Sequence, residues 1–552
     1  RTITNIGEIS SWGALGADLQ QAISEKRASQ GAGLRIMTGT VSSPTLANQI
    51  KTLLAQFPAA KWHQYEPINQ DNAMAGARMA FGEPVNAIHR FENADVILSL
   101  DADFLACGPA SVRYAREFAG RRRLLDGNRQ MNRLYVVEGS MTNTGAVADH
   151  RFPLRPSEIE SFAREVAAAL GIQAGGQTGG VETKWRSWVD PLARDLQKRR
   201  GRSLVIAGDS QPPVVHALAA AMNQTLGAAG NTVIYTAPVE AGAVDQTQRL
   251  SELVSDMDSG RVDLLVIVGG NPVYDAPADL KFSERMSKVK TRVHLSLFHD
   301  ETSELCHWHV PESHYLEAWS DARAYDGAVT IIQPLIAPLY ESKSAHEMLA
   351  ALSGRPQQSS YEIVRDYWME RRGAKAQPGP TPPIPAQAQN EQEAAQVITR
   401  LQAKPQPTAF DQWWQEALRT GVAPDTAFEP KPISAKAGWS NQGAAPTTSN
   451  PSGDQNALEI IFRPDPSIYD GRFAHNGWLQ ELPKPLTKIA WGNAVEISPA
   501  TAERFGLSYK TEWRGGEHGQ ALVDVVELQY KGRKLLAPVW ITPGHADNCA
   551  TV

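Results

Sequence analysis

Two stretches of the chain carry the same pattern of apolar and polar positions. Val262-Asp263-Leu264-Leu265-Val266-Ile267-Val268 is a short apolar run around one acid, and it breaks abruptly into Gly269-Gly270-Asn271-Pro272. Such a run predicts a buried parallel strand ending in a tight loop. Ala94 to Pro109 repeats it with Asp95, the run Val96-Ile97-Leu98-Ser99-Leu100 and a polar break at Asp101-Ala102-Asp103-Phe104. Aligning Asp95 with Asp263 brings further matches into register. Leu34 to Gly39 recurs as Leu204 to Gly208, each followed by proline and a helical pattern. Leu134 to Val137 and Ala148 to Pro153 recur as Val293 to Leu297 and Cys306 to Pro311. The pattern predicts an internal duplication of a strand-helix-strand unit, and so two similar open α/β sheets. Ligands of such sheets lie beyond the carboxyl ends of the strands. The candidate loops are therefore Gly269 to Pro272 and Asp101 to Phe104.

The remaining patterns divide the chain. Residues 1–33 read as an arm or linker closed by Gly31-Ala32-Gly33. Residues 34–199 form a first α/β domain, in which Ser43-Pro44 opens a helix by capping and by a proline in its first turn. Residues 200–355 form a second, whose helix from Pro213 to Leu226 is apolar nearly all round and should be covered on more than one side. Residues 356–455 are an insertion and linker, dense in Pro, Ala and Gln from Ala374 to Ala388 and in Gly, Ser, Asn and Pro from Ser434 to Gln455. Within it, Trp413 and Trp414 lie on a helix and are expected to anchor the insertion to the body. Residues 456–552 alternate in short strands punctuated by Gly and Pro, the pattern of a small β-barrel-like domain.

Composition narrows the class. A chain of 552 residues has room for three or four domains. Its net charge of −6 with 21% charged residues leaves Arg121-Arg122-Arg123 as a merely local basic run, so nucleic acid is not an expected partner. Cys107, Cys306 and Cys549 lie far apart without a Cys-x-x-Cys spacing, so these residues alone hold neither an iron-sulfur cluster nor a four-thiolate zinc. The apolar runs fall well short of the ~20 residues that span a bilayer. The chain begins with Arg1, and Asn548 to Val552 reads as an interrupted strand. Processing or a longer parent polypeptide is expected, with any targeting signal upstream.

Candidate chemistry is sparse. His299, His307, His309 and His314 with Cys306 and nearby carboxylates could serve a transition metal. On an extended segment, however, Cys306 and Trp308 alternate with His307 and His309, which sends thiol and imidazoles to opposite faces. No metal ligand is assigned there. Asp101 and Asp103 are either paired acids or caps for backbone amides, and capping is favoured. The loop Glu138 to Gly145 either faces a ligand or is a solvated turn, and the turn is favoured because loops run on surfaces. No dinucleotide fingerprint, phosphate loop or serine nucleophile elbow is present. No catalytic residue is assigned.

The series Val268 to Pro272, His299 to Thr302, Val310 to Trp319 and Tyr325 to Gly327 through Gln333-Pro334 resembles the molybdopterin-oxidoreductase family. Asp470 to Lys488 with Trp491 to Ala494 resembles that family's C-terminal barrel. The resemblance runs from about residue 34 to the end. It implies two duplicated doubly wound α/β domains and a small C-terminal β-barrel domain. In active members it also implies molybdenum or tungsten between two pterin dinucleotides, with a cysteine-rich cluster domain at the amino end. By that analogy a metal ligand would fall in Asn69 to Ala75, where Asp71 is the conventional candidate.

Leu98 to Leu105, Glu138 to Gly145 with Ala148 to Arg151, and Trp478 to Pro483 are more similar to the molybdopterin-like iron-sulfur B subunit of bacterial alternative complex III. In that family the fold is kept and the molybdenum cofactor is absent. The resemblance implies no molybdopterin and no metal within these residues, with 4Fe-4S and 3Fe-4S clusters in an adjoining ferredoxin-like domain. Gly269, Gly270, Asn271, Asp300 and Thr302 would then be a vestigial cleft. The implied role is a non-catalytic scaffold in a quinol-oxidising complex that passes electrons to a periplasmic acceptor. Its partners would be a multihaem cytochrome c and quinol-binding integral membrane subunits, and its place the periplasmic side of the cytoplasmic membrane. The alternative is an active molybdenum or tungsten bis-pterin oxidoreductase; a third reading is a soluble two-lobed ligand-binding protein.

Overall fold

The computed structural model describes residues 2–124, 130–173, 185–373, 408–436, 457–508, 510–511 and 521–552. The linker expected from Ala374 to Ala388, and residues 437–455 of the one expected from Ser434, lie outside them. In chain order, the strands up to residue 311 are β1 (Thr4–Asn5), β2 (Glu8–Ile9), β3 (Leu34–Thr38), β4 (Lys61–Gln64), β5 (Asn86–His89), β6 (Val96–Leu100), β7 (Arg133–Glu138), β8 (His150–Pro153), β9 (Ser203–Ala207), β10 (Val233–Thr236), β11 (Leu264–Val268), β12 (Thr291–Ser296) and β13 (Trp308–Pro311).

The duplicated strands form two sheets with one strand exchanged between the repeats. One sheet runs β2-β1-β13-β12-β11-β3-β4 and the other β8-β7-β6-β9. In the first, Leu264 of β11 lies opposite Leu34 of β3 and Thr291 of β12, in parallel. In the second, Val96 of β6 lies opposite Ser203 of β9 and Arg133 of β7, again in parallel. The equivalence of Asp95 and Asp263 holds in detail: the N–H of Asp95 donates to the Arg202 carbonyl and that of Asp263 to the Gly33 carbonyl, each just before the strand that came from the other repeat.

The compact units follow this exchange. One comprises Arg1–Glu66 with Val239–Phe428, the other Pro67–Pro238 with Glu429–Val552. The consecutive domains 34–199 and 200–355 are therefore not the compact units. β3 and β9 have interchangeable apolar patterns, so the sequence repeat is visible while the sheet each first strand joins is not.

In the first unit, helices cover both faces of the sheet, as a doubly wound α/β fold requires. Leu34, Ile36, Leu264, Val266, Val293, Leu295, Trp308 and Val310 face the helices Trp12–Arg27, Pro44–Gln56 and Ala345–Leu352. Met37, Leu265 and Ile267 point the other way, onto Leu250, Leu253, Val254 and Met257 of the helix Gln246–Asp258. The first 33 residues are more than an arm. β1 pairs with β13, Thr4 opposite His309, and the helix after Ser11 buries Leu15, Leu19 and Ile23. Trp414 packs with Phe410, Trp368, Val329 and Ile331, so it does anchor the helix Ala409–Thr420.

In the second unit the helix Pro213–Thr225 is buried along most of its length, as its uniform apolar pattern predicts. Gly76 lets the helix Asp71–Phe81 approach it. A Cβ there would lie 2.5 Å from His216 Cβ and 2.6 Å from the Pro213 carbonyl oxygen. The C-terminal residues form a curled five-stranded sheet in the order Glu459–Ile461, Cys549–Thr551, Val495–Ile497, Arg533–Ile541, Val525–Tyr530. No described helix is long and apolar enough to cross a membrane.

Candidate functional site

At the carboxyl ends of β11 and β12 the residues Gly269, Gly270, Asn271, Asp300 and Thr302 come together in the first unit. Gly269 and Gly270 take φ of +68° and +71°, the left-handed region where glycine is at ease. This lets the chain turn at the strand end and present Asn271. Asn271 Oδ1 accepts from the Thr302 hydroxyl at 2.7 Å and from its N–H at 3.2 Å, while Nδ2 donates to Glu301 at 2.7 Å. Asp300 caps the short helix Glu301–Glu304 by accepting from the Ser303 N–H at 2.9 Å, and it accepts from Ser296 Oγ at 3.0 Å.

Two buried histidines lock onto the same turn. His294 places Nε2 3.0 Å from the Gly270 carbonyl and Nδ1 2.9 Å from Ser303 Oγ, and His309 places Nδ1 2.9 Å from the same hydroxyl. A consistent tautomer set has His294 donating from Nε2 and accepting at Nδ1, with His309 donating to the serine oxygen. Burial lowers the pKa of both, His309 to about 4, so both are neutral at physiological pH. The arrangement is a closed hydrogen-bond clamp rather than an acid–base pair. Glu312 follows β13 with its carboxylate near Gly269, and although it reaches solvent in part, burial pushes it up to about 7.

The second unit builds the matching site from different side chains. Asp101 stands where the other repeat has Gly269 and also takes a left-handed φ, +61°. Its carboxylate receives Gln211 Nε2 at 3.0 Å and Ser210 Oγ at 3.2 Å, and pairs with Arg463 of the C-terminal segment. Burial opposes the charge on Arg463, and Asp101 outweighs it. Asp103 stands where the other repeat has Asn271. It accepts from the Thr144 hydroxyl at 2.7 Å and its N–H at 2.9 Å, so it is a cap. Glu138 accepts from Thr142 Oγ1 at 2.6 Å and Arg151 Nε at 2.5 Å; burial still raises its pKa. The loop Glu138 to Gly145 is thus no solvated turn: Glu138, Ser140, Thr142 and Thr144 are buried.

Sequence reasoning missed Arg463, Gln211, Arg151 and the two histidines as parts of these networks. One signal was available, since an Asp aligned with Gly269 marks a left-handed position whose side chain must be held. Gln211 Oε1, His216 Nε2, Arg151 Nη2 and Arg463 Nε are buried without a protein partner, which concentrates unused hydrogen-bonding capacity in the second unit.

The other candidates stay apart. Asp71 is the first residue of the helix Asp71–Phe81, where a carboxylate complements the helix dipole. His307 Nδ1 accepts from the Arg292 N–H, and burial pushes the Cys306 thiol up to about 12. No group of three or more His, Cys, Asp or Glu among the described residues could hold a metal ion.

Dinucleotide phosphates, the anionic parts of a pterin cofactor, need free N–H groups or cations. Around the first site, residues 269–275, 297–307 and 312–319 contain no Lys or Arg and carry Asp275, Asp300, Glu301, Glu304, Glu312 and Glu317. The amides of Thr302 and Ser303 are taken by Asn271 and Asp300, and those of Thr144 and Gly145 by Asp103 and Thr142. The first site, acidic and without a cation, does not fit a dinucleotide phosphate.

No protein-family model matches the chain. The molybdopterin-binding-like subunit of the menaquinone reductase of Nitratidesulfovibrio vulgaris is 24% identical over 309 residues, 48% of this chain and 43% of that protein. The match thus spans less than half of that relative. Acetylene hydratase from Pelobacter acetylenicus shares the fold with a TM-score of 0.61 over 99% of this chain and 83% of that one, at 13% identity. So low an identity speaks to architecture alone. That architecture, two duplicated α/β sheets with a curled C-terminal sheet, is the molybdopterin-oxidoreductase-type fold.

Proposed function

We propose that the chain is a catalytically silent, molybdopterin-oxidoreductase-like scaffold subunit of a quinone-linked electron-transfer complex. One observation carries the silent part. In both units the helix-start amides that would receive an anion are occupied by the chain's own side-chain oxygens. The quinone link rests on the likeness to a subunit named for menaquinone reductase.

Within that reading, Gly269, Gly270, Asn271, Asp300 and Thr302 are the vestige of a cofactor cleft, refilled by Glu301, Ser303 and the two histidines. The chain itself binds no molybdopterin. Iron-sulfur clusters belong to an adjoining ferredoxin-like domain, and haem- and quinol-binding membrane subunits are the partners. Alternative complex III, on the periplasmic side of the cytoplasmic membrane, is the assembly this describes. An active bis-pterin enzyme would draw its metal ligand from Asn69 to Ala75, where Asp71 opens a helix.

The test is to isolate the native assembly through this chain and follow electron exchange with added quinol by haem absorbance. Quinone-linked turnover in the assembly, with none in the isolated chain, is expected. Substrate turnover by the isolated chain would contradict the reading.

A further inference from the structure

From residue 462 to residue 494, between the buried strand residues Ile461 and Val495, no apolar residue is buried, although the Asp470 side chain is. The segment is nevertheless tied together. Asp465 and Tyr469 exchange backbone hydrogen bonds of 2.8 and 2.9 Å, Asn476 caps the helical turn Gly477–Glu481, and the Trp491 N–H donates to the Gln480 carbonyl at 2.9 Å. Ordering a chain is offset in most structures by apolar burial. Here hydrogen bonds and ion pairs hold a shape that buries no apolar residue of its own.

What it displays is apolar. Trp478 is 86% exposed, Trp491 64%, Leu482 54% and Phe473 47%. With aromatic side chains offering 150–250 Å² each, these four together expose roughly 500 Å² of apolar surface within one short segment. The charges cancel locally. From 464 to 494, Asp465, Asp470 and Glu481 balance Arg472, Lys484 and Lys488. Arg472 is paired to Asp470 at 2.7 Å and Lys484 to Asp465 at 3.3 Å.

These features select among occupants. A lipid surface favours a helix with a basic face, whereas this segment is irregular backbone with no net charge, and irregular backbone is not tolerated against hydrocarbon. Another protein can meet both the indoles and the backbone groups. Tryptophan is also enriched among residues that dominate interfaces, and the apolar area exposed along this segment is a large share of the ~800 Å² one partner contributes to a standard contact. We propose that residues 464–494 form a docking arm that inserts Trp478 and Trp491 into an uncharged apolar recess of a different polypeptide, a subunit of the complex proposed above. The inference rests on that reading only in requiring such a partner.

Photocrosslinking in the native host tests it, with p-benzoylphenylalanine replacing Trp478 and, as control, the exposed Glu503 of the same unit. A single adduct with one other polypeptide, identified by peptide mass, is expected from position 478 and not from 503. The double variant Trp478→Ala/Trp491→Ala should lose that polypeptide from the native assembly while its melting curve stays unchanged. Adducts with a second copy of the chain or with lipid, or labelling no stronger than at 503, would overturn the arm. An assembly with quinol-linked redox activity that survives the double variant would also overturn the arm and leave the functional reading intact. A partner captured by the arm in an assembly without haem, iron or quinone activity would overturn the functional reading and leave the arm intact.

Discussion

Asp103 holds Thr144 through a single carboxylate oxygen, which accepts the threonine hydroxyl at 2.7 Å and its N–H at 2.9 Å. Asn271 holds Thr302 in the same way, and each threonine hydroxyl in turn accepts a backbone N–H, Leu105 in one repeat and Val273 in the other. The contact has survived a change from acid to amide, so its job is geometric. Thr144→Val and Thr302→Val each strip a hydroxyl from a buried network and leave an N–H unpaired. Each should lower stability by about 1–3 kcal/mol in denaturant titrations. A loss at one site with none at the other would break the equivalence.

Asp101 and Gly269 occupy one backbone position in the two repeats, both with positive φ. Asp101→Gly would relieve the backbone and strand Arg463 without its carboxylate. The expected net loss is about 3–5 kcal/mol, the usual penalty for breaking a buried pair from one side. Adding Arg463→Met should restore most of it. A double-mutant cycle with no coupling would show that the pair does not hold the C-terminal segment to its sheet.

Glu312 offers a pH signature. Its folded pKa, raised by burial from 4.5 to about 7, means the folded chain holds this proton more tightly than the unfolded chain. Stability must then fall as pH rises through that window. Glu312→Gln removes the dependence, so it should match the parent near pH 4 and exceed it near pH 8 by roughly 1–3 kcal/mol. Parallel stability curves for parent and variant would contradict this.

Asp256 should behave in the opposite sense. Burial opposes its charge, but Arg261, Arg35 and Lys61 hydrogen-bond to it and hold it well below the ordinary carboxylate range. Its contribution is present above the unfolded pKa and is lost as pH falls through the folded one. Asp256→Asn should therefore destabilise at neutral pH and flatten acid unfolding, read by circular dichroism. An unchanged acid limb would rule the carboxylate out as its source.

The local order was legible and the long-range order was not. The runs at Val96–Leu100 and Leu264–Val268 are strands, and Ser43 does cap the helix at Pro44. Asn271 and Thr302 hydrogen-bond because the segments that follow the parallel neighbours β11 and β12 adjoin. The exchange of β3 and β9 left no local trace, since either strand satisfies either sheet. The burial of Glu138 to Gly145 was hidden for a related reason. Small polar residues read as solvated unless it is known that they satisfy one another. Arg463 comes from a segment 362 residues from Asp101, and no periodicity reaches that far.

On the proposed reading this chain carries no molybdopterin. Metal analysis of the native, tagged chain for molybdenum and tungsten, with oxidative fluorescence detection of released pterin on the same sample, decides it. Neither metal and no pterin is the expected result, even where iron is present in the assembly. Stoichiometric molybdenum or tungsten with pterin would contradict the account and return attention to Asp71 and the end of its helix.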